Sequence, residues 1–280
     1  MNIMLSIINQ GLIFSLVAIA VYITSRMIKK DDLTTEGAFG LGGAVTAILL
    51  QHQVSAILVM FLALFAGAGI GLVTAFLYAR LKMNHLMAGL VSSTACFSLS
   101  LALSSASKSI IRQNTIFNYL NIISEEISEN IILIFLVLLI LSGILLFLKS
   151  EIGLIIRAVG DNEELLINFG KSKNLYQSIG FAIANALTAL SGCLFVQWSG
   201  FFSITGNIGT LVTGLTSLMI AELFYKKLSV IIIGAAIFYQ SIFAASLSLG
   251  VEPLWNNLVK ALIIIGIVIV TKKVKKDLYA

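Results

Sequence analysis

Long apolar segments recur along this chain of 280 residues, and the polar breaks between them carry most of its charge. A helix crosses a bilayer with about 20 apolar residues, because its backbone groups are then satisfied within the segment. Nine candidate segments lie at 5–27, 36–51, 54–79, 86–106, 130–149, 178–199, 208–224, 228–249 and 257–271. The pattern predicts an all-α, polytopic membrane protein with about nine transmembrane segments.

The composition leaves little room for anything else. Hydrophobic residues make up 59% of the chain and charged residues 11%, against about 25% charged residues in soluble domains. We therefore expect residues 1–280 to form a single transmembrane domain, and not a soluble enzyme, a nucleic-acid binder or a disordered regulator. Residues 1–10 carry no basic residue ahead of the first apolar run, so we expect that segment to be retained and not cleaved as a signal peptide.

The basic residues indicate an orientation. Fifteen of the 18 lysines and arginines fall on alternate breaks, the last group being Lys272, Lys273, Lys275 and Lys276. Loops rich in lysine and arginine stay in the cytoplasm. The sequence therefore predicts a multi-pass protein of the bacterial cytoplasmic membrane, with its N-terminus outside and its C-terminus in the cytoplasm.

Two of the segments, 36–51 and 208–224, are short and rich in glycine. Short, glycine-interrupted segments in corresponding halves of a chain mark the substrate path of many transporters. Close helix packing is the alternative explanation, because glycine lets helices approach one another in lipid.

Polar residues inside the apolar segments are the candidates for lining a path. They are Glu36, Ser92, Ser93, Thr94, Asn185, Thr188, Thr213 and Thr216. Hydrogen bonding between helices would explain any one of them equally well. Glu36 and Glu222 lie near the cytoplasmic ends of their segments, where snorkelling or pairing with Lys226 or Lys227 competes with a role in a gate or in contact with a partner ATPase. Lys260, at an outer helix edge, either snorkels or attracts a carboxylate.

One polar loop, residues 150–178, is long and patterned. Gly160 is expected to end the preceding run, and Asp161 to N-cap a short helix over 161–169 with Glu164 as its capping-box partner. Leu165, Leu166 and Phe169 would form one apolar face, and Gly170 would end the helix. Such a helix could lie on lipid headgroups or dock into a soluble partner. Its leading acidic residues favour the protein partner.

The sequence from Glu151 to Asn162, EIGLIIRAVGDN, followed eight residues later by Gly170, resembles the cytoplasmic coupling loop of a permease family. This is the branched-chain amino acid/ribose-type permease family of bacterial ABC importers. The stretch 32–43, DLTTEGAFGLGG, and the stretch 84–91, NHLMAGLV, look closest to its tryptophan/tyrosine-type branch. The chain departs from the family pattern at Glu163, Leu166 and Lys171.

The resemblance implies a type II-like permease architecture and a set of residues that contact an ATPase. These residues are Arg157, Gly160, Asp161, Asn162, Glu163, Glu164, Leu165, Phe169 and Gly170. It also implies two cytoplasmic ATPase subunits, a second permease subunit that is an identical copy, and an extracytoplasmic substrate-binding lipoprotein. The expected substrate is an amino acid, aromatic or branched-chain, with a nucleoside or sugar as the alternative and a secondary transporter or channel as the more distant one.

Catalysis by the chain itself is not expected. The sequence lacks the G-x-x-x-x-G-K-[ST] phosphate loop, so the energy must come from a partner. Asp31 and Asp32 have no second aspartate cluster with which to bind magnesium, and Cys96 and Cys193 lack metal-ligand spacing. We expect no cofactor and no metal.

Overall fold

The computed structural model describes the backbone of residues 3–110, 113–119, 125–162, 166, 168–224, 231–248 and 255–278. Its ten helices are α1 Ile3–Tyr22, α2 Thr34–Gln51, α3 Ala56–Ala79, α4 His85–Ser104, α5 Glu125–Lys149, α6 Glu151–Asp161, α7 Lys173–Ser199, α8 Thr210–Phe224, α9 Ile231–Ser248 and α10 Asn256–Leu278. Two short strands, β1 Ser107–Ser109 and β2 Phe201–Ser203, pair antiparallel. Each of the nine apolar segments coincides with one helix, which confirms the all-α, polytopic fold.

Five spans are long and apolar enough to cross a membrane, among the residues described. They are Met4–Ile28, Ala56–Ala79, His85–Ser104, Ser128–Lys149 and Lys173–Ser199. Shorter apolar helices cover Ile231–Ala245 and Leu258–Ile269. Below, the end of the bundle at which α1 ends, near Arg26 and Lys29, is called the basic end.

The glycine-rich helix α2 lies in the interior, with most of its residues buried between α3, α4 and α7. It crosses α7 at very short range. A Cβ on Gly42 would overlap the carbonyl of Ala189, and one on Gly192 would overlap the carbonyl of Phe39. Phe39 also stacks on Phe14 of α1 at 5.7 Å between ring centroids. The glycines therefore do serve close packing, the structural alternative for this segment.

After α7 the chain turns back along α2. Phe202 lies against Gly43, Asn207 against Gly40, and Gly209 donates a hydrogen bond to Glu36. Helix α8 therefore begins part of the way down the bundle and runs beside α1, where Gly214 packs on Val17 and Val21. Its 15 residues extend about 22 Å, less than the roughly 30 Å of a bilayer core.

Helix α6 precedes the short helix that the sequence predicts over 161–169, most of which lies outside the described residues. Helix α6 runs through Gly160 and ends at Asp161, so Gly160 does not break it and Asp161 is not an N-cap. Ser150 provides the cap instead, with its hydroxyl accepting from the Gly153 N–H. Tertiary packing explains the difference, since the buried face of Gly153, Ile156 and Val159 continues through Gly160 onto the end of α1.

The expected end of the loop helix has the geometry of a glycine stop. Gly170 adopts φ 67°, and the Lys171 N–H donates to the Leu166 carbonyl, which is the pairing of a Schellman motif. Leu166 is buried whereas Phe169 is 73% exposed, so these two side chains do not share one face. Glu163, Glu164 and Leu165 lie outside the described residues.

Candidate functional site

Glu36 is the centre of the site that the glycine-rich segments form. It lies in the first turn of α2, half-buried, and its Oε1 accepts a hydrogen bond of 2.9 Å from the backbone N–H of Gly209. Gly209 precedes α8 directly, so the positive end of the α8 dipole points at the carboxylate. The two short segments singled out from the sequence therefore meet at one charge.

Two cavities open from Glu36. The smaller, about 70 Å³ in volume, lies between α2, α4 and the returning segment. Its lining residues are Glu36, Gly37, Gly40, Ser93, Phe97, Ser100, Ile204, Asn207 and Ile208. Hydroxyl, amide and carboxylate groups thus occur together in an otherwise apolar wall.

The larger cavity, about 450 Å³ in volume, lies between α8 and α10. Its lining residues are Glu36, Ile208, Gly209, Val212, Lys260, Ala261, Ile264 and Ile265. Lys260 is half-buried, and its ammonium lies 5.6 Å from the centroid of the Phe243 ring of α9. An acidic and a basic group therefore face the same apolar space.

Most of the predicted path residues lie away from these cavities. Of the eight, Glu36 and Ser93 line them. The hydroxyls of Thr188, Thr213 and Thr216 each donate to a carbonyl one helical turn earlier, at Ala184, Gly209 and Val212. This bonding satisfies a threonine in its own helix, and these three residues do not line either of the two cavities described here. Their place in a path stays a prediction.

The remaining three predicted residues are also placed elsewhere. Thr94 is exposed on α4 and donates to the Val91 carbonyl. Ser92 is buried on another face of α4. Asn185 binds Asp32. Two further polar residues of the smaller cavity, Ser100 and Asn207, were not singled out from the sequence. Asn207 follows Gly206 in a glycine-rich segment, whereas Ser100 lies between Leu99 and Leu101 and gives no such signal.

Asp32 was dismissed as a metal ligand but forms a buried polar junction at the start of α2. It is 2% exposed, its Oδ1 accepts from the Thr34 N–H at 2.9 Å, and its Oδ2 accepts from the Asn185 amide at 2.7 Å. Burial raises the pKa of Asp32, while the two hydrogen bonds and the charge of His85 act in the opposite direction. The carboxylate thus caps α2 and ties it to α7.

Glu222 pairs with Arg26 of α1. Arg26 donates to both of its carboxylate oxygens, from Nε at 2.5 Å and from Nη2 at 3.0 Å. Lys226 and Lys227 lie outside the described residues. The bidentate pair joins the basic ends of α1 and α8.

Helix α6 is attached to the same end of α1, where residues Ile23–Ile28 form a π-helix. A Cβ on Gly160 would overlap the carbonyl oxygen of Met27. Arg157 donates to the Tyr22 hydroxyl at 3.0 Å, and Lys29 pairs with Asp161 at 2.8 Å. A continuous set of contacts therefore runs from α6 through α1 and Arg26 to α8 and Glu36.

Comparison with known proteins identifies the family to which the chain belongs. Residues 3–268 match the family model described as the branched-chain amino acid transport system/permease component. The chain belongs to this permease family. It is therefore a multi-pass transport permease and not an enzyme.

Individual relatives agree with that assignment. The permease is 30% identical over 268 residues to the tyrosine transport system permease protein of Clostridioides difficile (strain R20291), covering 94% of this chain and 89% of that protein. It is 28% identical over 275 residues to an uncharacterised protein of Rickettsia prowazekii (strain Madrid E), covering 94% and 96%. No solved structure matches the permease.

Proposed function

We propose that this permease is the membrane subunit of a bacterial ABC importer for an amino acid, aromatic or branched-chain. A separate ATPase drives it, and an extracytoplasmic substrate-binding lipoprotein delivers the substrate. In the complete importer, two identical permease copies sit in the cytoplasmic membrane with two ATPase subunits. The N-terminus is outside, and the basic end with the C-terminus faces the cytoplasm.

The observation that carries this proposal is the attachment of α6 to the basic end of α1. Helix α6 lies outside the membrane-spanning segments. One of its faces, formed by Ile156, Val159 and Gly160, is fixed to the bundle. The other side of the loop is available, since Leu154 is 55% and Phe169 is 73% exposed. Exposed apolar groups beside charges are typical of a surface that a protein partner covers.

The contacts beyond α6 suggest how the ATPase acts on the path. A displacement of α6 is transmitted to α1 because Gly160 and Met27 are in backbone contact. The ion pair between Arg26 and Glu222 transmits the displacement to α8, whose N-terminus is hydrogen-bonded to Glu36. Packed elements of this kind switch between discrete arrangements that a remote ligand can bias. In this proposal ATP closes the ATPase dimer, moves α6 and opens or closes the space beside Glu36.

The wider coupling surface covers residues 150–178. It comprises the residues of the family motif, namely Arg157, Gly160, Asp161, Asn162, Glu163, Glu164, Leu165, Phe169 and Gly170. Arg157, Gly160 and Asp161 hold α6 on α1, so they position the surface. Phe169 is exposed and contacts the ATPase directly in this proposal.

Co-purification with the proposed ATPase partner tests the proposal. Phe169→Glu should abolish co-purification while leaving membrane insertion unchanged, because a charge replaces the apolar group that the partner would bury. Leu81→Glu, in the turn between α3 and α4, is the matched control, since Leu81 is 58% exposed and lies outside both the membrane spans and the coupling surface. Unaltered ATPase binding by the Phe169 variant would remove this surface from the proposal.

A further inference from the structure

We infer that the cavity between Glu36 and Lys260 is a binding site for a small zwitterion, an α-amino acid whose side chain carries no charge. Glu36 takes the ammonium group and Lys260 takes the carboxylate. This inference rests on the proposed function, since it names the groups by which the translocation path recognises its substrate.

The first step is the charge of the lining. Among the described residues that line this cavity, Glu36 and Lys260 are the ionisable ones, and the rest of the wall is glycine, alanine, valine and isoleucine. In low-dielectric surroundings, two such charges attract a ligand of matching polarity much more strongly than in water.

The second step is that the two charges do not neutralise each other directly. The ion pairs within 4 Å in the described part of the chain are Arg26–Glu222, Lys29–Asp161 and Lys171–Glu151. Glu36 is held by the Gly209 N–H, and Lys260 lies over the Phe243 ring. Each charge is thus fixed from behind by its own partner, and the cavity separates them.

The third step is size and polarity. The cavity of about 450 Å³ falls within the roughly 300–1,000 Å³ of small-molecule sites. Ile208, Val212 and Ile264 offer an apolar wall for a neutral side chain. A sugar or a nucleoside carries no pair of opposite charges, so it would make no charge-assisted contact with Glu36 or Lys260. Desolvation of both charged groups would then weaken its binding.

The experiment measures binding to the purified permease in lipid nanodiscs, without an ATPase or a binding protein. Saturation-transfer NMR at millimolar ligand compares L-tyrosine with tyramine, which lacks the carboxylate, and with 3-(4-hydroxyphenyl)propionate, which lacks the amine. The wild-type protein should bind L-tyrosine at least about tenfold more tightly than either analogue, because each analogue loses one charge-assisted contact.

Two variants assign the charges. Glu36→Gln retains an oxygen that accepts from the Gly209 N–H, so it removes the charge and keeps the fold. It should erase the preference for L-tyrosine over 3-(4-hydroxyphenyl)propionate. Lys260→Gln should erase the preference over tyramine, and Lys260→Arg should keep it. Thr94→Val, on the exposed side of α4, should bind like the wild type.

Equal binding of the three ligands by the wild type, no binding of L-tyrosine, or unchanged preferences in both variants would overturn the inference. A gel-filtration profile and melting temperature like those of the wild type show that the variants are folded. Because no ATPase is present, these outcomes are separate from those of the proposed function. If uptake requires the ATPase but ligand binding does not depend on Glu36 and Lys260, the proposed function stands and the proposed binding site is rejected.

Discussion

Arg26, in the π-helical end of α1, holds the carboxylate of Glu222 near the end of α8 through two hydrogen bonds of 2.5 and 3.0 Å. The pair joins the helix that α6 contacts to the helix that supports Glu36. Both side chains are partly exposed, at 46% and 32%. Because partly exposed ion pairs contribute little to stability, we expect this pair to transmit movement between α1 and α8.

Reversal of this pair tests that role. Arg26→Glu and Glu222→Arg should each lower ATP-dependent uptake at least about tenfold, because like charges then face each other between α1 and α8. The double variant should recover most of the uptake, and the coupling energy for unfolding should be about 0.5–1 kcal/mol. The measurement is uptake by the reconstituted importer.

An exposed charge outside the coupling surface provides the control. Arg80, directly after α3, is exposed and is not among the residues that link α6 to α8. Arg80→Glu should leave uptake unchanged. If the double reversal of Arg26 and Glu222 transports no better than the single variants, the pair does not act as a link.

The contact between Gly160 and Met27 leaves no space for a side chain. Gly160→Ala would force α6 away from α1, since its Cβ would overlap a carbonyl oxygen. We expect a loss of about 1–3 kcal/mol in the free energy of unfolding and the uncoupling of ATP hydrolysis from uptake. Thermal unfolding and uptake assays measure the two effects.

Gly143 is the matched glycine in α5, where a Cβ would meet nothing within 4 Å. Gly143→Ala should be neutral or should stabilise the helix by up to about 1 kcal/mol. Equal effects of the two substitutions would show that α6 is not packed on α1 as described.

Asp32 should make the stability of the permease depend on pH. Its folded-state pKa is raised by burial above the value of about 3.9 in an unfolded chain. The folded state thus favours the protonated form, and that contribution is complete below the unfolded pKa and lost as the pH rises through the folded pKa. The wild-type protein should lose stability with rising pH in that window.

Asp32→Asn isolates this effect. The buried Asn185 Oδ1 makes no hydrogen bond among the described residues, so a turned Asn185 amide can accept from a neutral group at position 32. The melting temperature of the variant minus that of the wild type should increase as the pH rises from about 4, near the unfolded pKa, through the raised folded-state pKa. A constant difference would show that Asp32 does not change protonation in this range.

The N-terminus of α4 depends on one side-chain cap. The Asn84 Oδ1 accepts from the Leu86 N–H at 3.0 Å. Asn84→Ala should cost about 1 kcal/mol of unfolding free energy. Ser55 occupies the same position before α3 but makes no such bond, so Ser55→Ala should have little effect. Denaturant titration of both variants in detergent decides whether the cap matters.

Much of the helical framework was readable from the sequence because lipid allows few ways to satisfy a backbone. Each apolar segment became a helix, and the segments around Glu36 and Gly209 proved to be the pair that meets. The end of α6 was misjudged because glycine was read as a helix breaker. Gly160 instead permits a helix to pack on Met27, which only the tertiary structure reveals.

Partners distant in sequence were out of reach of pattern reasoning. Arg26, which binds Glu222, is 196 residues away in α1, so no local pattern indicates it. Thr213 and Thr216 are satisfied within α8, which an apolar pattern does not show. The contact of Asp32 with Asn185 depends on how α2 crosses α7.

The mechanism rests on the claim that transport by this permease depends on a separate ATPase. The decisive measurement is uptake of L-tyrosine into proteoliposomes that contain the permease, with and without its proposed ATPase partner, with the proposed binding protein outside, loaded with substrate, and ATP inside. We expect accumulation only when the ATPase and ATP are both present. Accumulation or facilitated flux by the permease alone, at a rate equal to that of the complete importer, would contradict the mechanism.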